Sequence, residues 1–102
     1  MTAKGAAAVL IGESESIIAV DLQQQLEALG YSVVVRSGTP TEVVTVARSL
    51  KPDVIVLDLH IGGDDNGTKV ANDIHAIAKI PIVFLTTYEV YIREVEDVLP
   101  RP

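Results

Sequence analysis

The feature that most constrains the fold is an apolar run in the middle of the chain, at residues 52–58 (Pro-Asp-Val-Ile-Val-Leu-Asp). An apolar segment without polar alternation is typical of a strand buried on both faces, as in a parallel sheet covered by helices. Ligands of such sheets bind outside the carboxyl ends of the strands. We therefore interpret Asp58, which closes the run, as a functional residue. The alternative is that Asp58 caps the following loop through backbone amides.

A second set of polar side chains follows another apolar run. Glu13, Ser14 and Glu15 come directly after residues 7–12 (Ala-Ala-Val-Leu-Ile-Gly). Carboxylates at two strand ends meet if the strands are neighbours, which a doubly wound sheet allows. Converging carboxylates repel and lose ionisation unless a cation lies between them, and oxygen ligands suit Mg²⁺. The sequence thus predicts an acidic Mg²⁺ pocket with Asp58 as its nucleophile.

Strand and helix patterns alternate along the chain. Gly30 is placed as the C-cap of the first helix, and Thr39 as the N-cap of the second, with Pro40 at its first position. The alternation predicts an α/β domain with a doubly wound parallel sheet. The predicted strands cover residues 7–12, 31–35, 52–58 and 81–85, with a short fifth strand at 98–99. The predicted helices cover residues 15–29, 40–50 and 68–79. The first is expected to be amphipathic through Ile17, Ile18, Val20, Leu22, Leu26 and Leu29.

Composition limits the function. A length of 102 residues and a hydrophobic content of 48% predict a single domain with its own core. A formal net charge of −6 and the absence of any run of Lys or Arg argue against binding to nucleic acid or to anionic membranes by this domain. The chain has no cysteine, which fits the cytoplasm, the location we predict. We find no signal peptide and no membrane-spanning segment in the sequence.

Five segments carry a resemblance to one protein family, and residues 17–31 resemble its first helix. Residues 9–15 resemble the first strand and acidic pair of the receiver domain of two-component response regulators, and residues 51–58 resemble its phosphoacceptor strand. Residues 65–67 (Asp-Asn-Gly) resemble the short acidic and Gly-containing segment before the third helix. Residues 81–86 resemble the fourth strand with its switch hydroxyl. The resemblance implies a flavodoxin-like sheet with strand order 2-1-3-4-5. It also implies a phosphorelay signalling domain that is not a turnover enzyme.

The resemblance assigns roles to single residues. Asp58 would accept a phosphoryl group from the phosphohistidine of a histidine kinase or a phosphotransfer protein. Glu13 and Asp58 would hold Mg²⁺ together with the backbone carbonyl of His60. Thr86 would supply the switch hydroxyl that binds a phosphoryl oxygen. These roles suit phosphoryl transfer, which depends on positioning and charge neutralisation.

The sequence also departs from the family pattern. Ser14 stands where the family has its second acid, which is a metal ligand there. Arg101, which precedes Pro102, is the candidate for the family's phosphoryl-pairing Lys, although Arg and Lys differ in geometry. Residues 87–100 are too few for a full fourth helix with its loops. We therefore expect residues 1–102 to form a single receiver-like domain that lacks the C-terminal helix.

Two functional hypotheses follow. The first is a receiver domain that is phosphorylated on Asp58. The alternative is a pseudo-receiver, an interaction module that keeps the fold without phosphorylation. In both cases the missing helix would leave part of the sheet uncovered, so we expect a homodimer or cover by a downstream output segment. A small phosphatase is disfavoured because we find no general acid near Asp58.

Other motifs are weaker. Residues 58–63 fit the D-x-H-x-x-G motif of cobalamin-binding domains, but here it follows the third strand instead of the first, and His60 is interpreted as a solvated loop residue. Asp64 and Asp65 are interpreted as a solvated acidic loop. His75 is expected to have a surface or packing role. For Tyr88 and Tyr91 both edge covering and a contact surface remain open.

Overall fold

A computed structural model describes residues 6–63 and 66–86. Within them the chain alternates between four strands and three helices. The strands are β1 (Ala8–Gly12), β2 (Ser32–Ser37), β3 (Val54–Asp58) and β4 (Ile82–Leu85). The helices are α1 (Ser16–Ala28), α2 (Pro40–Leu50) and α3 (Gly67–His75), and a short 3-10 turn covers Ile61–Gly63. None of the helices in the described residues has the length and apolar character needed to cross a membrane.

The strands form one parallel sheet in the order β2-β1-β3-β4. The first connection leaves β1 on one side and the next returns past it to β3, so the strand order reverses between β1 and β3. This arrangement confirms the predicted doubly wound α/β fold. The predicted fifth strand, at residues 98–99, lies outside the described residues.

Helices cover the sheet on both sides. The side chains of Leu10, Ile55 and Leu57 pack against α2 and α3, and those of Val9, Ile11 and Val56 pack in a second cluster on the α1 side. All six are buried. Strand β3 is therefore apolar on both faces because both faces are covered, as its unbroken apolar run predicts.

The ends of two helices follow the predicted capping pattern. The Thr39 side chain accepts a hydrogen bond from the Glu42 N–H at 3.2 Å, with Pro40 at the first helical position of α2. Gly30 follows α1 with a φ of +97°, and its N–H donates to the Glu27 carbonyl at 3.0 Å. A left-handed glycine at this position satisfies carbonyl groups that the helix end leaves unpaired.

Two features of the helices differ from prediction. Helix α1 is not amphipathic in the predicted sense, because Ile17 is 86% exposed and Leu29 is 74% exposed. Only Ala19 of α1 is buried, and Leu22 and Leu26 are partly buried beside it against the sheet.

Helix α3 ends at His75, four residues before the predicted end. The Ala78 N–H donates to the Ile74 carbonyl at 2.8 Å, which closes a final turn, and Ile80 then enters the core. The His75 Nε2 lies 3.2 Å from the Ile80 carbonyl oxygen, so His75 joins the helix end to the approach to β4. This is a packing role, as expected. Ala76, in the turn that follows α3, is exposed.

Candidate functional site

The two predicted carboxylates lie at the same edge of the sheet. Glu13 directly follows β1, and Asp58 is the last residue of β3. These strands are parallel neighbours in which Gly12 pairs with Leu57. The carboxyl ends of the two central strands therefore bring Glu13 and Asp58 together at the point where the strand order reverses, where ligands of such sheets bind.

Backbone contacts fix Glu13 in a tight turn. Its side chain is 8% exposed, its N–H donates to the Ser37 carbonyl at 3.0 Å, and its Oε2 accepts from the Glu15 N–H at 3.2 Å. The preceding residue, Gly12, is closely packed, because a Cβ there would lie 2.8 Å from Leu57 Cδ1 and that side chain would have to move. The close packing of this turn holds the Glu13 carboxyl group next to the sheet.

Asp58 organises the loop that follows β3. Its Oδ1 accepts a hydrogen bond from the His60 N–H at 3.0 Å, which is the loop-capping role considered as the alternative. The same loop is tied to α3, since the Gly67 N–H donates to the Leu59 carbonyl at 2.9 Å. The cap occupies one carboxylate oxygen, so capping and a chemical role are compatible in one side chain.

Electrostatics couple the two carboxyl groups. Burial raises the pKa of Glu13, and the negative charge of Asp58 and a hydrogen bond with it raise this pKa further. Backbone N–H groups at Glu15 and Ser14 act in the opposite direction. A raised pKa means that the site disfavours a second negative charge, and a cation beside the pair would relieve this repulsion.

The other predicted site residues have different surroundings. Ser14 is exposed and lines a pocket together with Glu13. The His60 carbonyl accepts from the Gly63 N–H at 2.9 Å, and a carbonyl oxygen has a second lone pair. Thr86 follows β4 directly, one residue after Leu85, which pairs with Asp58. Arg101, Asp64 and Asp65 lie outside the described residues.

The acidic pocket contains fewer ligands than a full metal site. In residues 6–63 and 66–86, no three or more His, Cys, Asp or Glu side chains are grouped so that they could hold a metal ion. The oxygen donors that the sequence predicts within the described residues are the carboxylates of Glu13 and Asp58 and the His60 carbonyl. All three are hard oxygen ligands of the kind that Mg²⁺ accepts.

A sequence profile of the response regulator receiver domain matches residues 9–99. The chain belongs to this family. Receiver domains are signalling modules that interact with kinases or effectors. They are not turnover enzymes, which agrees with the expectation from the sequence. The parallel sheet with flanking helices is the fold of this family.

Three relatives illustrate the similarity. The phyllosphere-induced regulator PhyR of Methylorubrum extorquens is 34% identical over 89 residues, which cover 86% of this chain and 33% of PhyR. The transcriptional regulatory protein PdtaR of Mycobacterium tuberculosis is 36% identical over 80 residues, 78% of this chain and 38% of PdtaR. The crystal structure of the anti-anti-sigma factor PhyR of Bartonella quintana with the anti-sigma factor NepR matches with a TM-score of 0.76 and 34% identity, covering 83% of this chain and 35% of that one. This receiver chain therefore spans little more than a third of these relatives' length.

Sequence reasoning missed a contribution from β2. Arg36 and Ser37, at the end of this strand, line the same pocket as Glu13 and Ser14. The signal was present in principle, since β2 is a neighbour of β1 and its carboxyl end reaches the same edge. The pairing of β1 with β2 shifts register between Val9 and Leu10, however, and this irregularity decides which residues of β2 reach the pocket.

Proposed function

We propose that this receiver domain accepts a phosphoryl group on Asp58 from a histidine kinase or a phosphotransfer protein. The observation that carries the proposal is the position of Asp58 beside the buried Glu13, each next to the paired residues Leu57 and Gly12 at the switch point of the sheet. Burial raises the pKa of Glu13, and the negative charge of Asp58 raises it further, so the two carboxyl groups influence each other electrostatically. Such coupled carboxyl groups are a mark of functional sites.

The proposed chemistry is a phosphoryl transfer. A carboxylate oxygen of Asp58 attacks the phosphorus atom of a phosphohistidine, and the P–N bond breaks with its electron pair returning to the imidazole. The product is an acyl phosphate on Asp58. Glu13, Asp58 and the His60 carbonyl would hold Mg²⁺, which supplies neutralisation of charge on the phosphoryl oxygens. We assign Thr86 to a hydrogen bond with a phosphoryl oxygen, and Arg101 to the charge of the family's Lys.

The second candidate function is a pseudo-receiver that binds a partner without phosphorylation. The observation that favours it is the pair of carboxylates in place of a fuller acidic site, with Ser14 in the position of the second acid. The Bartonella quintana PhyR forms a complex with an anti-sigma factor, so protein binding is a property of a relative. On either reading we propose one receiver domain over residues 1–102, acting in the cytoplasm.

The test is phosphorylation by acetyl phosphate with Mg²⁺, followed by intact-mass analysis. We expect one phosphoryl adduct on the wild-type chain and none on Asp58→Asn. Asp73→Asn is the matched control, because Asp73 is an exposed acid on α3, and it should be modified like the wild type. Equal adduct on the wild type and Asp58→Asn would exclude Asp58 as the acceptor. No adduct on any chain would favour the pseudo-receiver.

A further inference from the structure

A pocket of about 360 Å³ opens beside the acidic pair, between the loop after β1 and the loop after β2. Its lining is chemically unlike the Glu13–Asp58 pair, because one guanidinium group and three hydroxyl groups accompany a single carboxylate. The lining residues are Glu13, Ser14, Ser16, Ala19, Arg36, Ser37 and Gly38. Asp58 is not among them.

Arg36 brings positive charge to this pocket. The side chain is exposed and makes no ion pair with any residue in the ranges 6–63 and 66–86, although the chain carries a net charge of −6. The guanidinium group of an Arg presents a rigid set of donors suited to carboxylate or phosphate oxygens.

Ser37 supplies a buried hydroxyl group. The residue is 2% exposed, and its backbone carbonyl accepts from the Glu13 N–H. The residue also lines the pocket, so its hydroxyl group can donate to or accept from a ligand bound there. The shift of register between β1 and β2 pairs Ser37 with Gly12, so it stands beside the β1 turn.

The first turn of α1 adds a third attraction for anions. The helix begins at Ser16, a lining residue, and its N-cap residue Glu15 makes no side-chain capping bond. No acidic residue lies in this first turn. The positive end of the helix dipole and its N–H groups therefore remain available at the pocket wall.

We propose that this pocket binds a phosphate-class oxyanion, such as the phosphate group of a small molecule, between Arg36, Ser37 and the start of α1. Glu13 is the opposing charge, but its Oε2 is held by the Glu15 N–H and its carboxyl group interacts with Asp58. The bound anion lies on the β2 side of Glu13, away from Asp58. The site needs neither Mg²⁺ nor phosphorylation of Asp58, so it is distinct from the proposed phosphoacceptor function.

The test is a titration with inorganic phosphate, followed by amide chemical shifts in ¹H–¹⁵N spectra. The buffer contains a chelator in place of Mg²⁺, and chloride keeps the ionic strength constant. We expect saturable shifts at Ser16, Ser37 and Gly38. Arg36→Gln should weaken binding about tenfold, the effect of removing a charged hydrogen bond. Arg48→Gln removes the same charge from the last turn of α2, far from the pocket, and should bind like the wild type.

Two further variants separate this site from its neighbours. Ser37→Ala should weaken phosphate binding severalfold while the spectrum stays that of a folded protein. Asp58→Asn should retain saturable phosphate binding, because Asp58 does not line the pocket. The proposal is overturned by the absence of saturable shifts, by equal losses in Arg36→Gln and Arg48→Gln, or by loss of binding in Asp58→Asn, which would place the anion at Asp58 instead.

Discussion

At the scale of single residues, Glu13 is the group whose ionisation the fold opposes. Burial and the charge of Asp58 raise its pKa above the ordinary value of 4.5. Between the unfolded and the folded pKa the native state binds more protons than the unfolded state, so the contribution of Glu13 to stability falls as pH rises through this window. The stabilising contribution of Glu13 is fully present only at pH values below the pKa of this group in the unfolded state.

Replacing Glu13 with Gln should remove this loss. We expect the stability of Glu13→Gln, relative to the wild type, to be higher at pH 7 than at pH 4 in the absence of Mg²⁺. Gln keeps an oxygen that can accept from the Glu15 N–H, so the turn is preserved. Urea unfolding midpoints at the two pH values measure the difference. Glu27→Gln, at an exposed site on α1, is the control, and an equal pH dependence in both variants would contradict the assignment.

Ser14 limits the charge available to a metal ion. Ligand charge is a main determinant of affinity for hard cations, so Ser14→Asp should tighten Mg²⁺ binding by on the order of 1 kcal/mol, or severalfold. Titration calorimetry measures the change. Ser49→Asp adds the same charge near the far end of α2 and should have no such effect. If Ser14→Asp gives no gain over this control, residue 14 does not face the metal.

At the scale of elements, Gly67 joins α3 to the loop that Asp58 begins. A Cβ at this position would lie 2.6 Å from the Leu59 Cα and carbonyl oxygen and 2.9 Å from the Asp58 carbonyl oxygen. Because these are backbone atoms, the loop itself would have to move. Gly67→Ala should therefore lower the free energy of unfolding by about 1–3 kcal/mol.

Urea denaturation measures this effect, and Gly38→Ala is its matched control. A Cβ at Gly38 would meet its nearest atoms at 3.9 Å, which is ordinary contact, and Gly38 is not among the glycines with positive φ. The control should lose little stability. Equal losses in the two variants would show that the contact of Gly67 with Leu59 is not the cause.

The elements also show which parts of the fold the sequence could predict. The unbroken apolar run of β3 specified burial on both faces, and Thr39, Pro40 and Gly30 specified helix ends, because each signal acts locally. The face of α1 could not be predicted in the same way. Its apolar residues lie on more than one side, and periodicity does not say which side meets the sheet; the answer depends on tertiary packing that leaves Ile17 exposed.

The candidate site also has one part that the sequence predicts and one part that it does not. The meeting of Glu13 with Asp58 followed from the adjacency of two buried strands, which the order of elements predicts. The positions of Arg36 and Ser37 did not follow, because one extra residue in β2 shifts its register against β1. A shift of one residue turns every later side chain to the other face of a strand, and the sequence of β2 alone does not reveal it.

At the scale of the whole molecule, the helices among residues 6–63 and 66–86 cover the α1 side of the sheet less completely than the other side. In β4, Ile82 and Phe84 pack in the core beside α2 and α3, and the alternation of a strand places Val83 on the α1 side. Val83 is 52% exposed, and Ile17 of α1 is 86% exposed. Large exposed apolar patches are rare on monomers and mark interaction surfaces.

We therefore predict self-association through this side, most simply as a two-fold dimer. Sedimentation at micromolar concentration should show a concentration-dependent dimer of the wild-type chain. Ile17→Gln and Val83→Thr should each shift the equilibrium toward monomer, because each reduces the apolar surface that a dimer would bury. Leu50→Gln, at a 52% exposed leucine of α2, should leave it unchanged. A wild-type chain that stays monomeric at every concentration would mean that the remainder of the chain, or a downstream segment, covers this face instead.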